Sequence, residues 1–211
     1  MAKRRHRQDA KRPGAKDAVF LNIPYDSQFS DLFLAYVAGI SAYGLVPRAT
    51  LEIPGSARRL DRIISMIQSC EYSIHDLSRV ELDPTPPSTP RFNMPFELGL
   101  AVAFEWSFPD KQNVWFVFET MPWRFQKSLS DLNGTDIHVH HGTVEGVFRE
   151  LAKAFVRVTK QPTVGQMRMI HKRIAGRLPK FLAAAGTDDP FQARVFNELT
   201  IYASALADEL T

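Results

Sequence analysis

The sequence predicts an α/β protein built on a parallel sheet, and three observations carry that expectation. From Ala18 onward, short runs rich in strand formers alternate with segments whose apolar residues recur at helical spacing, the pattern of repeated β-α-β units. The stretch "NVWFVFE" at 113–119 is apolar almost without interruption, as a strand covered on both faces requires. The alternation holds to about residue 160, where two further helical stripes break it. Right-handed crossovers along such a chain give a doubly wound, five-stranded parallel sheet of the flavodoxin-like kind, followed by a C-terminal helical hairpin.

Each element has its own signal. "AVFLNIP" (18–24) is a first strand closed by proline, and "FSDLFLAYVAGISAYG" (29–44) follows as a helix with Phe29, Leu32, Phe33, Tyr36, Val37 and Ile40 on one stripe and Gly44 as its stop. "LVPRATLE" (45–52) reads as a second extended segment. "SARRLDRIISMIQSC" (56–70) places Leu60, Ile63, Ile64 and Ile67 inward, with Ser56 as N-cap. "EYSIHDLS" (71–78) is the third strand. The loop "ELDPTPPSTPRF" carries prolines at 84, 86, 87 and 90, which disfavour helix and central strand alike and predict a stiff extended connector. A helix begins near Pro95, the fourth strand is 113–119, and "DIHVHHG" (136–142) is the fifth. "TVEGVFRELAKAFVRV" then supplies a helix with Val144, Val147, Phe148, Leu151 and Phe155 inward. Met167, Ile170, Ile174 and Leu178 form one C-terminal stripe. Phe191, Val195, Leu199, Tyr202 and Leu206 form the other, started by Asp189 and Pro190.

Composition narrows the function classes. No apolar run approaches the roughly 20 residues that span a bilayer, and no apolar stretch of about 7–15 residues follows the basic N-terminus as a signal peptide requires, so a cytoplasmic protein is expected. Cys70 is the only cysteine, which excludes an internal disulfide and a thiolate metal cluster and predicts a buried core thiol. The net charge of +3 is uneven: residues 1–16 hold seven Lys or Arg and one Asp, a net +6, leaving the remainder at 3 − 6 = −3. The expected organisation is a basic disordered arm (1–17), an α/β domain (18–160) and a helical extension (161–211). The arm is either a solvated tail or a contact for nucleic acid through counterion release, and lacks aromatic residues for stacking.

In an open α/β sheet, ligands bind outside the carboxyl ends of the strands. "NIPYD", "RATLE" and "HDLSR" end strands at that edge, so Asn22, Tyr25, Asp26, Asp76, Ser78, Asn93 and Glu97 are expected at one crevice. Glu97 is the single carboxylate in the apolar run "RFNMPFELGLA". With Pro95 as the first helical residue it is the third, where a carboxylate caps orphan amides. The alternative is a chemical reagent. Asp76 with Ser78 is open to the same choice between turn former and site residue. His138, His140 and His141 lack a completing Cys or nearby acid, so no metal site is expected. Trp115 and Trp123 read as core and rim, and Arg58, Arg59 and Arg62 as a solvated helix face or a phosphate contact.

The pairing of "HDLS" with "NMPFELGLAVA", together with the opening "FLNIPYD", resembles the signature of nucleoside deoxyribosyltransferase-like and TIR-like proteins over roughly residues 18–158. The resemblance implies that Glu97 attacks or stabilises the anomeric carbon of a nucleoside or of the NAD ribose, with Asp76 as a second catalytic carboxylate. It further implies substrate contacts from Asn22, Pro24, Tyr25, Asp26, Ser78, Arg79, Asn93 and Met94, with no cofactor beyond a nucleotide substrate. The physics is compatible: bond cleavage builds oxocarbenium character that a close carboxylate stabilises, and a helix N-terminus favours its ionised form. Gly99 and Ala101 are expected to permit close approach of helix, strand and ligand. One departure directs the substrate. Deoxyribosyltransferases carry a further acid shortly before the glutamate, and residues 84–96 contain none. A cationic nicotinamide linkage needs no general acid, so NAD or a related nucleotide is favoured. The competing expectation is a non-catalytic nucleotide-sensing module of the TIR-like kind, assembling into homo-oligomers through its C-terminal helices.

Overall fold

In the computed structural model, residues 17–53, 58–83, 85–110 and 113–210 are described. Five parallel strands form the sheet: β1 (Ala18–Asn22), β2 (Val46–Arg48), β3 (Tyr72–Asp76), β6 (Val114–Glu119) and β7 (Ile137–Val139), in the order β2-β1-β3-β6-β7. This is the doubly wound, flavodoxin-like architecture. A two-stranded antiparallel ribbon, β4 (Leu82–Asp83) and β5 (Thr89–Pro90), rises from the loop after β3. The proline-rich segment is therefore a small hairpin as well as a connector, because Pro90 sits on an outer strand whose missing N–H harms no ladder.

The helices α1 (Ser30–Ala42) and α5 (Val144–Ala154) cover one face of the sheet, and α2 (Arg59–Ser69) and α3 (Asn93–Ser107) the other; the short α4 (Arg124–Ser128) follows β6. α6 (Val164–Ala185) and α7 (Ala193–Asp208) form a third layer over α1. That layer explains why α1 is buried on every side from Leu32 to Ala42 and reads as apolar throughout. Val19, Leu21 and Ile74 of the sheet, α1, α5, α6 and α7 share one apolar core, so the C-terminal helices are continuous with the sheet unit. Gly39 permits the crossing of α1 on α5: a Cβ there would lie 2.3 Å from Leu151 Cδ1. α6 starts with a reciprocal cap, Thr163 Oγ1 accepting from Gln166 N at 3.2 Å and Gln166 Oε1 accepting from Thr163 N at 2.8 Å.

Several boundaries differ from the sequence expectation. The second strand is only three residues, and Thr50–Glu52 coil into a 3-10 turn. On α2 the inward residues are Ile63, Met66 and Ile67, while Leu60 is exposed and Ile64 half-buried. Ser56 and the arm at 1–16 lie outside the described residues. Cys70 is buried, and burial pushes its thiol up to about 11. No helix among the described residues is long and apolar enough to cross a membrane.

Candidate functional site

β1 and β3 are neighbours, yet the helices that follow them pass to opposite faces of the sheet, which opens a crevice at their carboxyl ends. Two hollows lie there. One, of about 230 Å³, is lined by Ile23, Pro24, Tyr25, Asp26, Arg59, Arg79, Arg91, Asn93 and Met94. The other, of about 410 Å³, is lined by Asp26, Ser27, Gln28, Arg79, Glu81, Leu82 and Arg91. They share Asp26, Arg79 and Arg91 and so form two lobes of one cleft. Six of the expected site residues, Pro24, Tyr25, Asp26, Arg79, Asn93 and Met94, meet in it. Asp26 both caps the turn after β1, its Oδ1 accepting from Phe29 N at 3.1 Å, and pairs with Arg79 at 3.2 Å. Tyr25 donates its hydroxyl to Leu21 O at 3.2 Å, and burial holds it well above the ordinary phenol range.

Glu97 lies one helical turn after Asn93 and Met94, on the same side of α3. The helix starts at Asn93, two residues before Pro95, so Glu97 is its fifth residue rather than its third. It therefore makes no capping bond. Pro95 is tolerated in the first turn because its missing N–H would have no intrahelical partner there. Glu97 is 3% exposed; its Oε1 lies 3.5 Å from Arg59 Nη2, and its Oε2 has no hydrogen-bond partner among the described residues. Burial raises its pKa, with Arg59 and the Asn22 amide pulling in the opposite direction. Desolvation is the largest of these influences. Gly99 faces open space and mediates no close approach, whereas Ala101 packs against the sheet.

Beneath Glu97 runs a directed chain of buried hydrogen bonds. Asn113, just before β6, donates its amide to Ile67 O (2.9 Å) and Cys70 O (3.0 Å), which aims its Oδ1 at the Ser73 hydroxyl, 3.2 Å away. Ser73 Oγ meets His75 Nε2 at 3.2 Å, and His75 Nδ1 accepts from Asn22 Nδ2 at 3.0 Å. Because Nδ1 accepts, the ring proton sits on Nε2 and the imidazole is neutral. Burial drops its pKa to about 3, so it stays neutral in the fold. Each donor fixes the next, and the chain ends with the Asn22 amide beside Glu97.

Asp76 stands apart from this arrangement and does not line the crevice where it was expected. Alternation along β3 sends His75 to the α2/α3 face and Asp76 to the α1 face. There Asp76 is fully buried: Oδ2 accepts from Tyr36 Oη at 2.7 Å and lies 3.1 Å from His140 Nε2, and Oδ1 accepts from Ser78 N at 2.9 Å. Gly142 N donates to His140 Nδ1 at 3.1 Å, which leaves the His140 proton on Nε2, aimed at Asp76. Burial opposes the charge on Asp76, but His140, Ser78 and Tyr36 together hold its pKa below the usual carboxylate value. Ser78 is enclosed with it, Oγ 3.1 Å from His140 Nε2, and is not among the residues that line the cleft. Gly146 secures the group: a Cβ there would fall 1.9 Å from His140 O. His138, on the same strand as expected, turns instead to Glu150, 3.3 Å away.

Arg59, read from the sequence as a solvated helix face or a phosphate contact, lines the cleft; Arg91 lines it as well and was not expected there, nor was the chain through His75, Ser73 and Asn113. The signal was partly available, since Asn22, His75 and Ser73 are polar at positions of otherwise apolar strands. The chain matches no family model, no curated protein and no solved structure.

Proposed function

We propose that the protein is an N-glycosidase that cleaves the ribose–base bond of NAD or a related nucleotide, with Glu97 as the reacting carboxylate. The observation that carries this reading is the state of Glu97: a buried carboxylate with one oxygen unpartnered among the described residues, one helical turn after Asn93 and Met94, which line the cleft, and in contact with Arg59, which lines it too. A structural acid would have its lone pairs satisfied, as Asp76 does. In the proposed reaction the C1′–N bond breaks and its electron pair passes to the ring nitrogen, cancelling the positive charge of a nicotinamide-type base. C1′ then takes an oxygen from water directly, or first from Glu97, in which case water next attacks C1′ and the C1′–O bond to Glu97 breaks to restore the carboxylate; in both cases the proton of the consumed water is released to solution. No general acid is required, which agrees with the lack of a carboxylate in residues 84–96. Tyr25 and Pro24 would frame the base, and Asn93 would meet the ribose hydroxyls.

The second reading, a nucleotide-binding module without turnover, is favoured by one observation: Glu97 is only 3% exposed, with Arg59 in contact with it. Incubating the full chain with NAD, ribonucleotides and deoxynucleosides, with chromatography of the released base and calorimetry in parallel, separates the two. Release from NAD supports cleavage. Binding with no release supports the module, and neither binding nor release removes both.

A further inference from the structure

We propose that the Arg59–Glu97 pair is a placeholder for a substrate bearing both a phosphate and a cationic ring: the phosphate draws Arg59 into an anion site with Arg79 and Arg91, and this uncovers Glu97. The inference rests on the glycosidase reading for its consequence, but the exchange itself is a binding event. Among the described residues, Arg59, Arg79 and Arg91 line the same 230 Å³ hollow against a single lining carboxylate, Asp26, so the described lining is cationic. Three guanidinium forks around one hollow are suited to a phosphate, which accepts bidentate bonds. Arg79 is anchored by Asp26 and Gln28, at 3.2 and 2.6 Å. Arg59 is held differently. Its side chain is 55% exposed, and its contact with Glu97, at 3.5 Å, is long beside the about 2.7–2.9 Å of a charge-assisted bond.

The pair is thus loose on the arginine side and incomplete on the glutamate side, where Oε2 has no partner among the described residues. The groups facing Glu97 are Arg59 from α2, the Asn22 amide from β1 and, further off, the Tyr25 phenol, which shares the field of both. When Arg59 leaves, the buried carboxylate loses its counter-charge, and a cationic ring on the same substrate replaces it. A neutral nucleoside supplies neither half of the exchange. Arg59 is therefore the specificity-determining residue that separates dinucleotides of this kind from nucleosides.

The test uses inorganic pyrophosphate on the full chain, with no turnover measured, so its outcome is independent of whether the protein cleaves anything. Calorimetry is expected to show pyrophosphate binding that weakens about tenfold in Arg59→Gln and in Arg91→Gln, the loss of one charge-assisted contact in each. Carbon-detected NMR of the Glu97 carboxyl is expected to show its titration midpoint rising by about one pH unit at saturating pyrophosphate in the wild type. In Arg59→Gln the midpoint is already raised and pyrophosphate moves it little. Pyrophosphate binding that is indifferent to Arg59→Gln, or a wild-type Glu97 midpoint unchanged at saturation, overturns the inference.

Discussion

Asp76 and Glu97 are both buried carboxylates near the carboxyl edge of the sheet, and they have opposite states. Asp76, on the α1 face, receives Tyr36, Ser78 and His140, and its pKa is lowered. Glu97, on the α2/α3 face, has one long ion pair, the Asn22 amide beside it and one oxygen unpartnered among the described residues, and its pKa is raised. The same residue chemistry is fully bonded in one place and undersupplied in the other because of how many donors the fold supplies. A saturated carboxylate stabilises the native state, whereas an undersupplied one costs stability and retains capacity to bond elsewhere.

The largest expected effect falls on the saturated side. Asp76→Ala strands three buried donors at about 1–3 kcal/mol each, so urea denaturation should show a loss of about 4 kcal/mol. A loss under about 1 kcal/mol would remove the distinction between the two acids. The next effect tests the chain behind Glu97. His75 has a folded pKa near 3 against an ordinary value of 6.5. As pH falls below about 6.5 the unfolded chain takes up a proton that the native ring refuses, and stability declines toward about pH 3. His75→Gln should flatten that acid decline, measured as unfolding free energy at pH 7 and pH 4.5. An equally steep decline in the variant would show that His75 is not held neutral.

The smallest effect has the opposite sign from the first. A carboxylate with a raised folded pKa disfavours the native state as pH climbs through its unfolded value, 4.5, toward the folded one, and the penalty persists above it. Asp76, with a depressed pKa, contributes stability that is present above its unfolded value, 3.8, and lost as pH falls through the folded one. Glu97→Gln should therefore be more stable than wild type by about 1 kcal/mol at pH 7 and show a smaller advantage at pH 4. A variant less stable at pH 7 would place Glu97 among the structural acids.

Much of this fold was legible in the sequence because its signals are periodic and local. Strand–helix alternation gave the five-stranded sheet, and the stripes from Met167 and Phe191 gave the helical pair. Helix α3 was misplaced by two residues because proline is tolerated anywhere in a first turn, so Pro95 marks the turn without fixing its first residue. The site was legible in its membership of one sheet edge and less so in its sides. Asp76 was grouped with Glu97 although the two-residue period of β3 separates them, and the neighbour that does face that side is His75. Arg59 and Arg91 come from segments far apart in sequence. Only the packing of α2 against α3 and the course of the proline-rich ribbon bring them to one hollow.

The central claim is that the undersupplied carboxylate is the reacting one. Its most direct measurement is the rate of nicotinamide release from NAD by wild type and by Glu97→Gln, compared under identical conditions at neutral pH. The account predicts release by the wild type and a rate lower by on the order of 10³ or more in the variant, with its fold intact. Equal rates from the two proteins would contradict it.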